Sequence, residues 1–411
     1  MDFSKLVNNN GIYLYADSSF NTISIKLNFY AGTSNRECAI IDILCWYLET
    51  CNKNFKSNHD INKRVQELYS LILYFENEFY DKQKVFSLYA NLISPNVIND
   101  DYSKLAFEFI RQMLKEPDFT NQEILEITKR KIISNIKLNL LDNEIYASNM
   151  YYQKVLYEEN KEYENSTDID YISNLINSIT LDDIKEQYEY IINNFQSGLV
   201  FGNISLEQFN SFVNHISLTP TKKYFDYNRS ISIKEEYVEI EKNSEQSYIY
   251  VTYDIDNLTY PQVILLKKIM NSSLGLCYQT LREKYGLVYN SYADIMYYLK
   301  KLYIYGEIDK DKKEKFLKAL DEIVNKLNNM ELLDKLISQA KDEIEADEVT
   351  LSEDQDRMID SLNKYILKYF GEQNRTEVYQ QVSEITTEDL IKSTKTLKRK
   401  NVFMVRSKKD E

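Results

Sequence analysis

Hydrophobic positions along the chain follow two periods. Thr22-Ile23-Ser24-Ile25-Lys26-Leu27-Asn28-Phe29 alternates apolar with polar residues, the period of a half-buried strand, and the run from Ala39 to Cys51 that follows is apolar enough for a buried helix. A turn and short helix, further strands and a pair of longer amphipathic helices come next. A helix beginning near Ile179 and the apolar strand Gly198-Leu199-Val200-Phe201 close the series. The succession then returns. Ser247-Tyr248-Ile249-Tyr250-Val251-Thr252-Tyr253 reads as a strand and Gln262 to Met270 as an apolar helix. Phe316, Leu317, Leu320, Ile323, Val324 and Leu327 hold one apolar face at helical spacing, and Val402-Phe403-Met404-Val405 is the last strand.

Two short echoes reinforce this repeat. Ile179-Thr180-Leu181-Asp182-Asp183-Ile184 matches Ile385-Thr386-Thr387-Glu388-Asp389-Leu390, each a Thr N-cap followed by first-turn acids. Val65-Gln66-Glu67-Leu68-Tyr69-Ser70 matches Leu281-Arg282-Glu283-Lys284-Tyr285-Gly286. Matches in the same order predict two homologous α+β domains, residues 1–216 and 246–411, joined by a linker over 217–245 that holds Pro220. The acidic stretch Asp342 to Asp356 reads as a helix end and solvated loop.

Composition narrows the function classes. Hydrophobic residues make up 43% and charged residues 28% of the 411 positions, ordinary for a chain with a real core, and eight Gly and four Pro imply short loops. The net charge of −14 repels phosphate backbones and disfavours nucleic acid as a partner. Met1-Asp2-Phe3-Ser4-Lys5 shows no basic stretch leading into an apolar core, and no 18-residue apolar run follows. The expectation is therefore a cytoplasmic protein without signal peptide or membrane span. Cys38, Cys45, Cys51 and Cys277 have neither zinc-ribbon nor disulfide-framework spacing and read as reduced, mostly buried thiols.

The best-marked segment is Leu281-Arg282-Glu283-Lys284-Tyr285-Gly286-Leu287-Val288-Tyr289, preceded by Asn271-Ser272-Ser273-Leu274-Gly275-Leu276. Arg282 lies near a helix end, Gly286 suits a left-handed C′ position, and Leu287 to Tyr289 open a strand. The segment resembles the second-domain motif of the pitrilysin/insulysin-type metallopeptidases, approximately L-R-E-x-x-G-L-x-Y, with Asn and Ser where that family often has Gly-Gly. The repeated Ile-Thr-x-acid helix starts fit as well. The resemblance implies a clam-shell half in which each domain is an antiparallel-rich mixed sheet packed by helices on one face. It also implies that Arg282 and Tyr289 contact a peptide substrate, Arg with a fork of donors and Tyr with a phenolic one.

One departure from the family is decisive. Active relatives carry H-x-x-E-H on the first apolar helix, two His for zinc and a Glu as general base. Here Asp42, Cys45 and Trp46 stand at those positions, and the later-ligand region near Lys131-Ile132-Ile133-Ser134-Asn135-Ile136 has no carboxylate. Trp46 cannot ligate zinc and Cys45 cannot replace the base. Asp42 and Cys45, at i and i+3, have a metal-compatible spacing, but a buried thiol beside a capping Asp is the plainer reading. The two histidines, His59 at a helix start and His215 at the linker's edge, belong to no such motif. The resemblance therefore implies a chain without cofactor that cannot cleave peptides alone. Its expected partner is a zinc-bearing homologue, and its expected ligand a peptide, for example a ribosomally made one. The rival expectation is a non-enzymatic peptide-binding or scaffold protein.

Overall fold

Two mixed sheets organise a computed structural model that describes residues 3–408 apart from 33, 81–82, 99, 157–166, 222–230, 235 and 368–372. The first sheet is built from β1 (Val7–Asn9), β2 (Ile12–Ala16), β3 (Thr22–Gly32), β4 (Ile72–Tyr80), β5 (Gln83–Ile93) and β6 (Phe195–Gly202), in the order β1-β2-β6-β3-β5-β4. The second uses β7 (Tyr237–Lys242), β8 (Ser247–Asp254), β9 (Val288–Met296), β10 (Lys301–Ile308) and β11 (Lys398–Ser407), in the order β7-β11-β8-β10-β9. Apart from β1 the orders are the same. Each sheet has one parallel pair, β2 with β6 and β7 with β11, and antiparallel pairs elsewhere. The duplication read from short echoes is thus a duplication of topology.

Local chemistry repeats with it. Thr180 and Thr386 each cap a helix in a reciprocal capping box, with Asp183 and Asp389 at N3. Ser34 does the same with Glu37, which starts the first apolar helix at Asn35 and ends it at Leu48, so Cys51 lies beyond its end rather than inside it. Thr259 and Gln262 box the matching helix Tyr260–Asn271. The acidic stretch 342–356 is not a loop. The helix Met330–Glu353 runs through most of it, and Asp354 ends that helix and caps the next, Gln355–Ile366. Asp142 joins Gln122–Leu141 to Asn143–Tyr151 in the same double role.

Part of the expected linker belongs to the second sheet. Tyr237–Lys242 pairs in parallel with β11 from Tyr237↔Val402 to Lys242↔Ser407, where β2 lies in the first sheet. The strand is only half-buried on alternate positions, so it carries little apolar signal. Residues 222–230 and 235 of that stretch lie outside the described residues.

Helices cover one face of each sheet over separate cores, one around Ile25, Leu27, Phe29, Ile41 and Leu44, the other around Ile249, Val251, Leu265 and Leu320. The opposite faces carry a feature absent from the sequence reading. Each is crossed by a helix from the other half. Met358, Ile359 and Leu362 pack on Tyr15, Tyr89, Leu199 and Phe201 of the first sheet. Ala147, Met150 and Tyr151 pack on Tyr250, Tyr303, Tyr305 and Phe403 of the second.

Candidate functional site

The helix Asn35–Leu48 buries Ile40, Ile41, Ile43, Leu44, Tyr47 and Leu48 in the first core. That leaves Asp42 and Trp46, four residues apart, on its outer side, where a two-His motif presents its ligands. Lys84 of β5, only 4% exposed, places its ammonium 2.5 Å from Asp42 Oδ1 and donates to the Cys38 carbonyl oxygen at 3.2 Å. Lys131 of the helix Gln122–Leu141 holds its ammonium 3.4 Å from the centre of the Trp46 ring, a cation–π contact. Between them Cys45 is buried; Asn77 Nδ2 donates to its sulfur at 3.3 Å, and burial pushes the thiol up to about 12. Glu49, raised by burial, accepts from the Phe75 amide at 3.1 Å.

These residues do not fit zinc. The one carboxylate at the motif positions is neutralised by an ammonium group, the sulfur is a thiol and not a thiolate at neutral pH, and an indole offers no lone pair. Among the described residues no three His, Cys, Asp or Glu side chains gather to hold a metal ion. His59 is exposed at the start of the helix Asn58–Glu67. His215 ends the helix Leu206–Ile216 with its Nε2 2.6 Å from Glu108, an ordinary surface ion partner.

The second half places Arg282 and Tyr289 together. A π-helical turn, Tyr278–Lys284, ends at Tyr285, and Gly286 takes φ +55° with no atom within 4 Å of where a Cβ would stand. The Leu287 amide then donates to the Leu281 carbonyl at 2.9 Å, folding the chain back so that β9 starts beside the turn. Arg282 and Tyr289 are both exposed, and Arg282 Nη1 donates to the Tyr289 carbonyl oxygen at 3.4 Å. The Arg282 guanidinium also lies 5.6 Å from the Tyr278 ring centre. At the same turn Glu322 receives Lys284 at 2.7 Å, Lys326 at 2.8 Å and the Tyr285 hydroxyl at 2.6 Å, which pins the turn to the helix Lys313–Lys326. Lys284 first, then Lys326 and Tyr285, hold the Glu322 carboxyl down at about 2.

Glu322 was not singled out in the sequence, and Asn271 only as a departure from the resembled family's Gly-Gly. The Asn271 amide grips both backbone groups of Ala293 at 2.7 Å, closing the outer edge of β9 as a neighbouring strand would. Its position where the resembled family often has Gly was the available signal. Lys84 was missed as well, because nothing near it in the sequence points to Asp42.

Residues 178–344 match the family described as Peptidase M16 inactive domain. No curated protein matches the chain. Among solved structures, a conserved protein from Enterococcus faecalis superposes with TM-score 0.85 at 15% identity, over 97% of each chain. A peptidase M16 inactive domain from Pseudomonas fluorescens gives 0.74 at 18%, over 97% of this chain and 95% of that one. The periplasmic protease PqqL from Escherichia coli gives 0.69 at 11%, over 97% of this chain but 45% of that one, so this chain spans under half of it.

Proposed function

We propose that this chain, which matches the Peptidase M16 inactive domain over residues 178–344 and lacks an H-x-x-E-H set, is a zinc-less pitrilysin-type protein and the non-catalytic subunit of a two-chain peptidase. In this reading a zinc-bearing homologue supplies the metal and the general base. This chain supplies Arg282 and Tyr289 to an extended peptide enclosed between the two. The observation that carries it is the exposed Arg282, whose guanidinium reaches the backbone carbonyl of exposed Tyr289 beside a turn tied to Glu322 through Lys284 and Tyr285, on a chain whose own motif positions are taken by Asp42, Cys45 and Trp46. An arginine fork and an exposed phenol suit peptide carbonyls and the charge that grows on a scissile carbonyl. The chain's similarity to under half of PqqL is in keeping with a half that needs a second half.

The test is a peptidase assay read by mass spectrometry on this chain, its nearest H-x-x-E-H relative, and the two co-purified. The expected result is cleavage by the mixture, or a large gain over the relative alone, abolished by chelator. Arg282→Ala or Tyr289→Phe should slow the mixture on the order of 100-fold without loss of assembly, as for removal of one preorganised donor. Wild-type rates in both variants would remove the assigned roles. Chains that neither associate nor gain activity would leave the non-enzymatic peptide-binding or scaffold reading.

A further inference from the structure

The degenerate motif is filled from within the chain, and the filling groups are cations. Lys84 reaches Asp42 from β5 and Lys131 reaches Trp46 from the helix Gln122–Leu141, so an ammonium group stands against the first and the last motif position. We propose that these two lysines hold the site in a cation-filled state that excludes a divalent metal, so that restoring the missing ligands does not by itself restore metal binding. The inference concerns the first half alone and does not depend on the pairing proposed above.

Electrostatics and sterics both oppose a metal at this site. A metal site needs lone pairs converging on one point, and a doubly charged ion meets twice the repulsion from a fixed ammonium that a monovalent ion does. Lys84 has nowhere else to go. Its stem is buried in β5, its ammonium donates to the Cys38 carbonyl as well as to Asp42, and it lies 5.2 Å from the Phe79 ring centre. Stripped of its carboxylate partner, Lys84 still fills the site and keeps its bond to the Cys38 carbonyl. Asp42→His would remove that partner and leave Lys84 facing the new ligand. Lys131 stands in the region where the third ligand is expected, so it brings positive charge where a zinc site needs negative. The site has therefore changed from one that gathers a metal into a joint that ties the helix Asn35–Leu48 to β5 and to the helix Gln122–Leu141.

Cobalt(II) serves as probe, read by its visible absorption and by metal analysis of the desalted chain. Three purified full-length variants are compared. The first carries Asp42→His, Cys45→Glu and Trp46→His. The second adds Lys131→Glu. The third adds Lys84→Met as well. The expected result is no stoichiometric cobalt in the first, and affinity in the second at least about 10-fold below the third, the scale on which groups around a metal site act. Stoichiometric cobalt in the first variant, or equal affinity in the second and third, overturns the proposal. A second measurement needs no motif change. In urea unfolding of the natural chain, Asp42→Asn and Lys84→Met should each raise the unfolding constant roughly 10-fold, while the double variant is no worse than the harsher single, as for a coupled pair whose ammonium is buried. Independent, multiplying effects overturn the joint.

Discussion

Across the outer face of the first sheet, the helix Gln355–Ile366 meets a partly polar surface. Asn28 donates to Asn363 at 2.7 Å, accepts from Ser87 at 2.9 Å, and is fully buried beside Ser197. Across the same face of the second sheet, the helix Asn143–Tyr151 meets rings. Tyr151 stacks on Tyr250 with centres 4.4 Å apart, and Tyr303 and Phe403 close around it at 5.5 and 5.8 Å. Both helices leave their own half after an Asp that ends one helix and caps the next, so the exchange is one device used twice. The difference lies in what each sheet offers it. A polar face limits apolar burial but demands matched hydrogen bonds, and an aromatic face gives more area with looser geometric demands. Topology survives the divergence of the halves because strand order and caps are backbone matters. Surface chemistry is free to differ.

The largest expected effect tests that contrast directly. Tyr151 and Leu362 are both fully buried under their respective crossings. Tyr151→Ala should lower stability by about 3–5 kcal/mol and Leu362→Ala by about 2–5 kcal/mol, with Tyr151→Ala the larger of the two, on the ranges for emptying an aromatic and an aliphatic site. Urea unfolding of both variants decides it. Should Leu362→Ala prove the more damaging, the polar crossing is the tighter clasp and the comparison inverts.

What could be read in the sequence divides along the same line. The capping boxes at Thr180 and Thr386 were legible because a cap is made within four residues, and Gly286 because a helix end needing positive φ names its own residue. The first half shows the cost of reading that rule too strictly, since Tyr69 and Ser70 adopt φ of +57° and +60° at the matching turn without any glycine. Arg282 and Tyr289 were legible as a pair through the resemblance, and the turn closed at Gly286 brings the Arg282 guanidinium to the Tyr289 carbonyl. The Tyr151–Tyr250 stack was not, because an amphipathic helix declares that one face is apolar and not which sheet will cover it. The Lys84–Asp42 contact was hidden for a related reason. A charge in a strand has no local partner to announce it, and this one lies 42 residues away.

A second contrast concerns the free edges, β4 in the first sheet and β9 in the second. On β9 the Asn271 amide engages both the N–H and the carbonyl of Ala293; on β4 the Glu49 carboxylate takes the Phe75 N–H alone. An exposed edge invites strand addition, and a side-chain amide that mimics a strand removes part of the invitation. Asn271→Ala should therefore lower stability by about 1–2 kcal/mol, two modest hydrogen bonds, and raise concentration-dependent association. Urea unfolding and light scattering over a concentration series read the two effects. Unchanged association at equal destabilisation would reduce Asn271 to a plain structural bond.

The smallest effect joins the halves again, since each holds one carboxyl far below its ordinary value near 4.5. Arg111, helped by His215, holds Glu108 at about 2, and Lys284 with Lys326 and Tyr285 holds Glu322 at about 2. A depressed carboxyl adds stability that is complete above the unfolded value and is lost as pH falls through the folded one. The window for both is therefore pH 4.5 down to about 2. Glu322→Gln should lower stability at neutral pH by roughly 0.5–1 kcal/mol, because the group is partly solvated and screened, and the difference should vanish near pH 2. Glu108→Gln should show the same limb. The two differ in what they brace. Glu322 lies under the Arg282–Tyr289 turn, so its variant should speed hydrogen exchange at the Gly286 and Leu287 amides, and Glu108→Gln should leave those amides unchanged. Equal exchange in both variants would show that Gly286 and the Leu281–Leu287 bond hold the turn without the ion cluster beneath it.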